Sequence, residues 1–321
     1  MRNEVESIID TLKSNKSPGE DNITNEMIKA CKTEILDTLV TLFNDILQTE
    51  SIPVQWKTTI IILLYKKGNI SDIKNYRPIS LSPVFYKIFA SILERRLSVK
   101  ANEYQTIEQA GFRKGFSTIS HIHTINQIIQ KAQEYNLKVY ISLVDFSKAF
   151  DSIEHFALWE ALETAGIDQY YIRLLRNIYN ESSAYIKMDR NGPKFSINRG
   201  VKQGDPLSPL LFNCVLQKVF QNMNWEEKGL VINGKRLNNL RFADDVALFA
   251  NSATEMQELM EELSKESKKV GLAFNVAKTI VMTNNQKEDI LVDGEKVVYV
   301  EEAVYLGQLI SFNTNKMDQE V

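Results

Sequence analysis

Three aspartates that interrupt apolar sequence are the residues of this chain best suited to chemistry. Asp145 follows the apolar run 139–144, and Asp244 and Asp245 lie inside the apolar segment LRFADDVALFA at 240–250. Burying a bare carboxylate costs several kcal/mol, so acids in such settings usually have a compensating charge. A divalent cation would supply that charge.

The spacing of these acids suits phosphoryl transfer if the two apolar segments are neighbouring strands. Asp145 and Asp244 would then bridge two hard cations about 4 Å apart, which is the arrangement for in-line displacement at phosphorus. Oxygen ligands without a nearby His or Cys favour Mg²⁺ over zinc. The alternative is that Asp244 and Asp245 only form a hairpin turn, since Asp is a good turn residue.

The elements that must position these acids follow from the apolar periodicity. Three- and four-residue spacing predicts helices within 1–50 and at about 84–97, 118–134, 154–165, 168–180 and 254–270, with one more opening after the loop 200–209. Apolar and β-branched runs predict strands at 59–65, 139–144, 240–250, 273–283, 297–300 and 304–310, with a loop through 68–78 and a hairpin through Asn191-Gly192. This order of mixed helices and widely separated strands predicts an α+β fold.

Composition and charge narrow the class of protein. A chain of 321 residues with 44% hydrophobic and 25% charged residues is expected to fold. The net charge of −3 argues against nucleic-acid binding through the whole surface. Residues 55–115 nevertheless hold eleven Lys or Arg against four acids. Such a basic lobe suits an anionic polymer, and the alternative is a chance excess on a solvated face.

The cysteines and the apolar runs indicate an intracellular protein without a membrane partner. Cys31 and Cys214 stand alone, which predicts neither a zinc site nor a disulfide framework. The longest purely apolar run, Ile60–Leu64, is far short of the roughly 20 residues of a membrane span.

Seven blocks in a fixed order resemble the reverse transcriptases of non-LTR retrotransposons. Those similar to the palm motifs are DFSKAFDSIEH at 145–155, RGVKQGDPLSPLLFN at 199–213 and FADD at 242–245. Those similar to the fingers, the N-terminal extension and the primer grip are NYRPISLSPVFYKIFASILERRL at 75–97, QAGFRKGFST at 109–118, KSPGEDNITNEMIK at 16–29 and VYLGQLIS at 304–311. The nearest resemblance is to endonuclease/reverse transcriptase polyproteins of the RTE type.

The resemblance implies a right-hand polymerase fold with fingers and a palm, in which an antiparallel palm sheet packs on helices. A helical extension is expected at 1–51 and the reverse transcriptase domain at 52–321. Within that domain the fingers would occupy about 52–138 and part of 155–199, and the palm about 139–154 and 200–321. The thumb and an endonuclease are expected to be missing from this chain.

The resemblance also implies roles for individual residues. Asp145 and Asp244 would ligate two Mg²⁺ ions, with Mn²⁺ as a possible substitute, and Asp245 would assist more weakly. Lys278 would protonate pyrophosphate. The primer 3′ end would be held by the primer grip: Tyr305, Leu306 and Gly307.

The incoming nucleotide would contact a second set of residues under the same resemblance. The set consists of Lys66, Arg77 and Lys87 on the triphosphate, Phe150 as a steric gate against a 2′-hydroxyl, and Gln203 with Gly204 beside the nucleotide. Alternatives are a core position for Phe150 and solvated surface positions for the two lysines. Asp205 is interpreted as a helix N-cap before Pro206. The histidines His121, His123 and His155 are interpreted as structural or surface groups.

The expected activity is RNA-directed DNA synthesis, in which dNTPs are added to a primer 3′-hydroxyl. Expected partners are an RNA template, a DNA primer or nicked target DNA, and dNTPs, in the nucleus and cytoplasm as part of a retroelement ribonucleoprotein. The alternative is a catalytically silent nucleic-acid-binding fragment that lacks the thumb. A third possibility, an RNA-synthesising polymerase, is disfavoured by Phe150.

Overall fold

The computed structural model describes residues 1–313, and over this range the chain has the mixed α+β composition that the sequence predicts. Its helices are α1 Arg2–Thr11, α2 Asn25–Ala30, α3 Lys32–Thr49, α4 Val84–Tyr104, α5 Thr118–Glu134, α6 Ala149–Ser152, α7 His155–Thr164, α8 Gln169–Tyr179, α9 Ser208–Gln221 and α10 Ala253–Lys269. The first nine strands are β1 Thr58–Tyr65, β2 Tyr76–Leu81, β3 Tyr140–Val144, β4 Ser183–Ile186, β5 Phe195–Ser196, β6 Leu230–Ile232, β7 Lys235–Leu237, β8 Asn239–Phe242 and β9 Asp245–Ala250. The remaining strands are β10 Ile280–Thr283, β11 Leu291–Val292, β12 Glu295–Lys296, β13 Val298–Tyr299, β14 Glu302–Tyr305 and β15 Gln308–Ser311.

The chain forms two compact units, each built from two separate stretches of sequence. The first unit combines Met1–Tyr104 with Ile153–Cys214, and the second combines Gln105–Ser152 with the chain from Val215 onward. The expected extension, fingers and palm boundaries stay predictions, and residues 314–321 of the expected palm lie outside the described residues.

The first unit contains a four-stranded sheet in the order β2-β1-β4-β5. Strand β1 pairs antiparallel with β2 and parallel with β4. The sequence assigned residues 68–78 to a loop, whereas β2 already begins at Tyr76. Pro78 lacks an N–H group, and it is tolerated because β2 is an edge strand. In the same unit, α4 packs against α3, where Phe89 and Phe43 have ring centroids 5.4 Å apart.

The second unit is built on a five-stranded sheet in the order β13-β10-β3-β9-β8. Three of its four pairings, β10–β3, β3–β9 and β9–β8, are antiparallel, and the pairing of β10 with β13 is parallel. Side chains alternate across a strand, so Phe249 faces the core formed with Ile125 and Ile129 of α5, while Leu248 faces the other way. Leu248 is also fully buried, and α10 packs against β9 and β3. Strand β3 is therefore held between two neighbours in a sheet buried on both faces.

Several short elements differ from the sequence prediction. Helix α4 continues to Tyr104 rather than ending at 97, and residues 273–279 precede β10 without joining the strand. The single strand predicted at 304–310 is a hairpin of β14 and β15. The hairpins β6–β7 and β11–β12 were not predicted, although Asn233-Gly234 and Asp293-Gly294 are strong hairpin signals.

Candidate active site

The backbone of Asp145 is fixed by the loop that precedes β10. Asp145 follows Val144, the last residue of β3. Its N–H donates to the hydroxyl of Thr279 at 3.2 Å, and its carbonyl accepts from the N–H of Asn275 at 2.8 Å. Lys278 lies in this loop and donates its own N–H to the Asn275 carbonyl at 3.0 Å. The predicted pyrophosphate lysine is thus on the loop that holds Asp145.

The other two predicted acids lie where β8 turns into β9, beside the end of β3. The turn is the two-residue loop Ala243–Asp244, and Asp245 begins β9. Val144 of β3 pairs with Val246 of β9. Asp145 and Asp245 come next in this register, where opposite residues of an antiparallel pair have Cα atoms about 4.5–5.5 Å apart. The backbone therefore brings all three aspartates to one end of the sheet, and the hairpin-turn alternative describes the same geometry.

The donor chemistry of this strand end fits a hard divalent cation. Its acids offer only carboxylate oxygens, which are the ligands that Mg²⁺ prefers. Within residues 1–313, no group of three His, Cys, Asp or Glu side chains is arranged to hold a metal ion. The ligand roles of Asp145, Asp244 and Asp245 therefore stay predictions, supported by the oxygen chemistry of these residues.

An electrostatic effect links the predicted primer grip to the acidic turn. Burial raises the pKa of Tyr305 well above its usual value, and the negative charge of Asp245 raises it further. Tyr305 is the last residue of β14, and Leu306 and Gly307 form the hairpin turn with φ of 50° and 89°. These values match a type I′ turn, which suits the twist of the two strands. The structure thus places these residues on a tight hairpin within reach of the charge on Asp245.

Phe150 lies on the short helix α6, five residues beyond Asp145. Its ring meets the ring of Phe112 edge-on, with centroids 6.1 Å apart. Phe150 is half-buried, whereas the neighbouring Phe146 is buried and packs on Phe274 at 5.4 Å. Phe150 is therefore only partly buried, and both its core position and its steric-gate role stay predictions.

The predicted triphosphate cations belong to the first unit. Arg77 is exposed on β2 opposite Leu64, and Lys66 is exposed at the end of the same hairpin, where its N–H donates to the carbonyl of Asn75 at 2.9 Å. Lys87 on α4 is half-buried, and burial lowers its pKa. The exposed pair can reach an anionic ligand in solvent, whereas Lys87 is the cation more easily deprotonated.

Gln203 and Gly204 lie in the loop before α9, against strand β2. The carbonyl of Gln203 accepts a hydrogen bond from the N–H of Ser80 at 2.8 Å. Gly204 has φ of +100°, and a Cβ there would lie 3.3 Å from the Ser80 carbonyl oxygen. Glycine is therefore favoured by the backbone conformation, and a side chain there would also be tightly packed against Ser80.

Two opposite charges are buried beside this loop, and the sequence did not indicate the buried cation. Lys202 and Asp205 are each only 4% exposed. The ammonium group of Lys202 lies over the rings of Tyr86 and Tyr179, at 5.1 and 5.9 Å from their centroids. Burial lowers the pKa of Lys202 and raises that of Asp205. The Oδ1 atom of Asp205 accepts from the N–H of Leu207 at 2.9 Å, but α9 begins at Ser208, so Asp205 lies two residues before the N-cap position that the sequence predicted for it.

The histidines occupy structural or surface positions, as the sequence indicated. His121 is buried and its pKa is lowered by burial, while His123 is exposed. The Nε2 atom of His155 lies 3.1 Å from the carbonyl of Gly200, and its ring packs on Tyr179 at 5.1 Å. We assign none of the three to the chemistry.

Comparison with known families decides how this strand end is to be interpreted. The model of the family described as "Reverse transcriptase (RNA-dependent DNA polymerase)" matches residues 64–310, which is more than half of the chain. The chain belongs to the reverse transcriptase family. The matched range contains all three aspartates, and reverse transcriptases generally use a divalent metal.

Relatives of this reverse transcriptase include proteins of non-LTR retrotransposons. It is 31% identical over 299 residues to the probable RNA-directed DNA polymerase from transposon BS of Drosophila melanogaster, which covers 86% of this chain and 31% of the relative. It is 28% identical over 263 residues to the Pol polyprotein of the type-2 retrotransposable element R2DM of the same species, which covers 82% of this chain and 24% of the relative. The chain thus spans less than a third of the length of either relative.

The fold of this reverse transcriptase is similar to that of telomerase. The apo telomerase from Candida tropicalis truncated from its C-terminal domain matches 94% of this chain and 61% of the telomerase chain, with a TM-score of 0.58 and 14% identity. At this identity the likeness concerns the fold alone. Among the described residues, no helix is both long and apolar enough to cross a membrane.

Proposed function

We propose that this reverse transcriptase is an RNA-directed DNA polymerase that adds dNTPs to a primer 3′-hydroxyl with two Mg²⁺ ions. The observation that carries the proposal is the pairing of β3 with β9, which places Asp145 beside the turn of Asp244 and Asp245 in a chain of this family. Asp145 and Asp244 hold both ions and Asp245 assists, with Mn²⁺ as a substitute. In this proposal the chain supplies the fingers and palm of a right-hand polymerase.

The chemistry follows from the residues near the end of β3. When bound, the ions lower the pKa of the 3′-hydroxyl and neutralise charge on the leaving group. The 3′-hydroxyl loses its proton to solvent and its oxygen bonds to the α-phosphorus, while the bond from the α-phosphorus to the oxygen of the β-phosphate breaks. Lys278 donates a proton to the departing pyrophosphate. The Asp145 and Asp244 carboxylates would fix this geometry, because the Asp145 backbone is bound to the loop before β10 and Asp244 lies in the tight β8–β9 turn.

Nucleotide recognition is assigned to side chains of each unit. In the first unit, the exposed Arg77 and Lys66, together with Lys87, bind the triphosphate, and Arg77 suits a bidentate contact. Gln203 and Gly204 present backbone to the nucleotide from the loop held by Ser80. In the second unit, Phe150 excludes a 2′-hydroxyl with its half-buried ring. Tyr305, Leu306 and Gly307 position the primer end from the β14–β15 hairpin.

The proposed partners are an RNA template, a DNA primer or nicked target DNA, and dNTPs. A telomerase from Candida tropicalis, of similar fold with a TM-score of 0.57, was determined with a fragment of telomeric RNA. The basic stretch 55–115 supports binding of an anionic polymer. We place the protein in the nucleus and cytoplasm as part of a retroelement ribonucleoprotein.

Primer extension on an RNA template tests the proposal. With Mg²⁺ and dNTPs the chain should extend a DNA primer, and Asp244→Asn should abolish extension without weakening template binding, because phosphate contacts carry most of that affinity. Asp189→Asn, at an exposed position on the β4–β5 connection, is the matched control and should extend normally. Template binding without extension by the unaltered chain would instead support a silent nucleic-acid-binding fragment. Ribonucleotides used as readily as deoxyribonucleotides would indicate an RNA-synthesising polymerase.

A further inference from the structure

The turn that carries Asp244 has a strained backbone. Ala243 has φ of +58°, and it is the first of the two turn residues between β8 and β9. Asp244 is not among the residues with positive φ, so the signs match a type II′ turn, in which glycine is preferred at the first position. An L-residue in the left-handed region costs roughly 1–2 kcal/mol. Contacts outside the hairpin must therefore hold Ala243 in this conformation.

Gln109 supplies these contacts from a segment 134 residues earlier in the chain. Its side chain is fully buried. Its Oε1 atom accepts from the N–H of Ala243 at 3.0 Å and from the N–H of Gly111 at 2.9 Å. Its Nε2 atom donates to the carbonyl of Ala243 at 3.5 Å. A single amide thus binds both polar backbone groups of the strained residue.

The backbone around Gln109 is itself attached to β8. The N–H of Ala110 donates to the carbonyl of Arg241, and the N–H of Arg241 donates to the carbonyl of Glu108, each at 2.8 Å. Gly111 then approaches the turn so closely that an added Cβ would lie 2.1 Å from the nitrogen of Ala243. Only glycine allows this approach, so the segment lies directly against the acidic turn.

The side chain of Arg241 anchors the same segment from inside the unit. Arg241 is 2% exposed, and its guanidinium donates to the Gln217 side chain at 3.1 Å and to the Thr106 hydroxyl at 2.6 Å. It also lies over the ring of Phe220, 4.3 Å from the centroid. The segment that carries Gln109 is therefore fixed at both ends, and its amide is presented to Ala243 in one orientation.

We infer that Gln109 is a positioning residue for catalysis: it holds the Ala243 peptide groups and thereby fixes the direction of the Asp244 and Asp245 carboxylates. This inference rests on the proposed function of these acids. A displacement of about 1 Å at a reacting centre can lower the rate by about 100-fold. Loss of the Gln109 amide is expected to lower kcat by 10- to 100-fold and to leave the KM for dNTP within twofold, because the Gln109 side chain is fully buried.

Gln109→Met is the first test, since it keeps the length of the side chain and removes its hydrogen bonds. Primer extension should show the expected fall in kcat at unchanged KM. Adding Ala243→Gly should then restore kcat severalfold, because glycine adopts positive φ without strain. Failure of this rescue, or a KM that rises as kcat falls, would overturn the positioning role.

Leu259→Ala is the matched control for general destabilisation. Leu259 is fully buried on α10, and such truncations cost about 2–5 kcal/mol. At a temperature where both variants are folded, Leu259→Ala should keep its kcat while Gln109→Met loses it. An equal loss in the two variants would show that stability and not positioning is responsible.

Amide hydrogen exchange measured by NMR tests the contact without activity. In Gln109→Met the N–H groups of Ala243 and Gly111 should lose protection, while that of Leu248 in β9 stays protected. Unchanged protection at Ala243 would overturn the contact itself. If the unaltered chain extends no primer but Ala243 loses protection in the variant, the proposed polymerase activity fails while the contact stands.

Discussion

The buried pair of Lys202 and Asp205 should show a large coupling free energy. Each residue is 4% exposed, and the charge of each favours the ionised form of the other, so removing one leaves the other charge buried without that compensation. That loss is expected to cost about 3–5 kcal/mol, whereas replacing both partners by apolar groups is often near neutral. We therefore expect Lys202→Met and Asp205→Leu each to lower the free energy of unfolding by at least about 3 kcal/mol, and the double variant to recover most of that loss.

The assay is a double-mutant cycle measured by urea unfolding. The predicted coupling free energy is about 3 kcal/mol or more. This is well above the deviation from additivity of about 0.3–0.5 kcal/mol that independent sites show. Additive effects of Lys202→Met and Asp205→Leu would refute the buried pair. So would a loss below about 1 kcal/mol in both single variants, since that is the range of exposed pairs.

The pH dependence of Lys202→Met provides a second check on the same reasoning. Burial already raises the pKa of Asp205 above its ordinary value of 3.8, and losing Lys202 removes the charge that opposes this shift. A raised folded pKa gives stability that is fully present below the unfolded value and is lost as pH rises through the folded value. The variant should therefore be closest to the parent near pH 4 and fall further behind as pH rises, and a constant difference would contradict the assignment.

Three further predictions concern other parts of the chain. The hydrogen bonds from Arg96 lower the pKa of Glu4 from 4.5 to about 2. Glu4→Gln should therefore lower the free energy of unfolding at neutral pH by about 1–2 kcal/mol after solvent screening. In acid-unfolding measurements this difference should disappear between about pH 4.5 and 2. Gly204→Ala should strain the backbone at φ of +100° and raise the KM for dNTP about tenfold, which corresponds to roughly 1.4 kcal/mol. An unchanged KM in steady-state primer extension would contradict this prediction. Phe150→Ala should increase ribonucleotide incorporation. Unchanged discrimination between ribonucleotides and deoxyribonucleotides would show that Phe150 has only a packing role.

The three aspartates could be predicted from sequence because carboxylates inside apolar strands require a compensating charge. Their partner strands could not be predicted in the same way. The pairing of β3 with β9 joins Leu143 to Ala247, and no local signal specifies a contact over such a separation. The family resemblance supplied the expectation that the acids converge, and the sheet register supplies its backbone geometry.

The supporting residues were missed because their roles depend on long-range contacts. From the sequence, Gln109 is an ordinary polar residue in a loop, and only the structure shows its contact with Ala243. From the sequence, Lys202 is expected at the surface, because lysine is almost never fully buried unless it is paired. The prediction that Asp205 binds a backbone N–H at the start of the next helix was local, and the bond goes to Leu207, although α9 itself begins one residue later at Ser208.

Iron-mediated cleavage of the chain tests the shared metal site most directly. Fe²⁺ replaces Mg²⁺ at a hard-ligand site, and with ascorbate and peroxide it cuts the backbone close to where it is bound. We expect cuts near both Asp145 and Asp244, both suppressed by excess Mg²⁺ and both lost together in Asp145→Asn. Cuts at only one of these positions, or cuts near Asp244 that persist in Asp145→Asn, would contradict a metal site shared by the two strands.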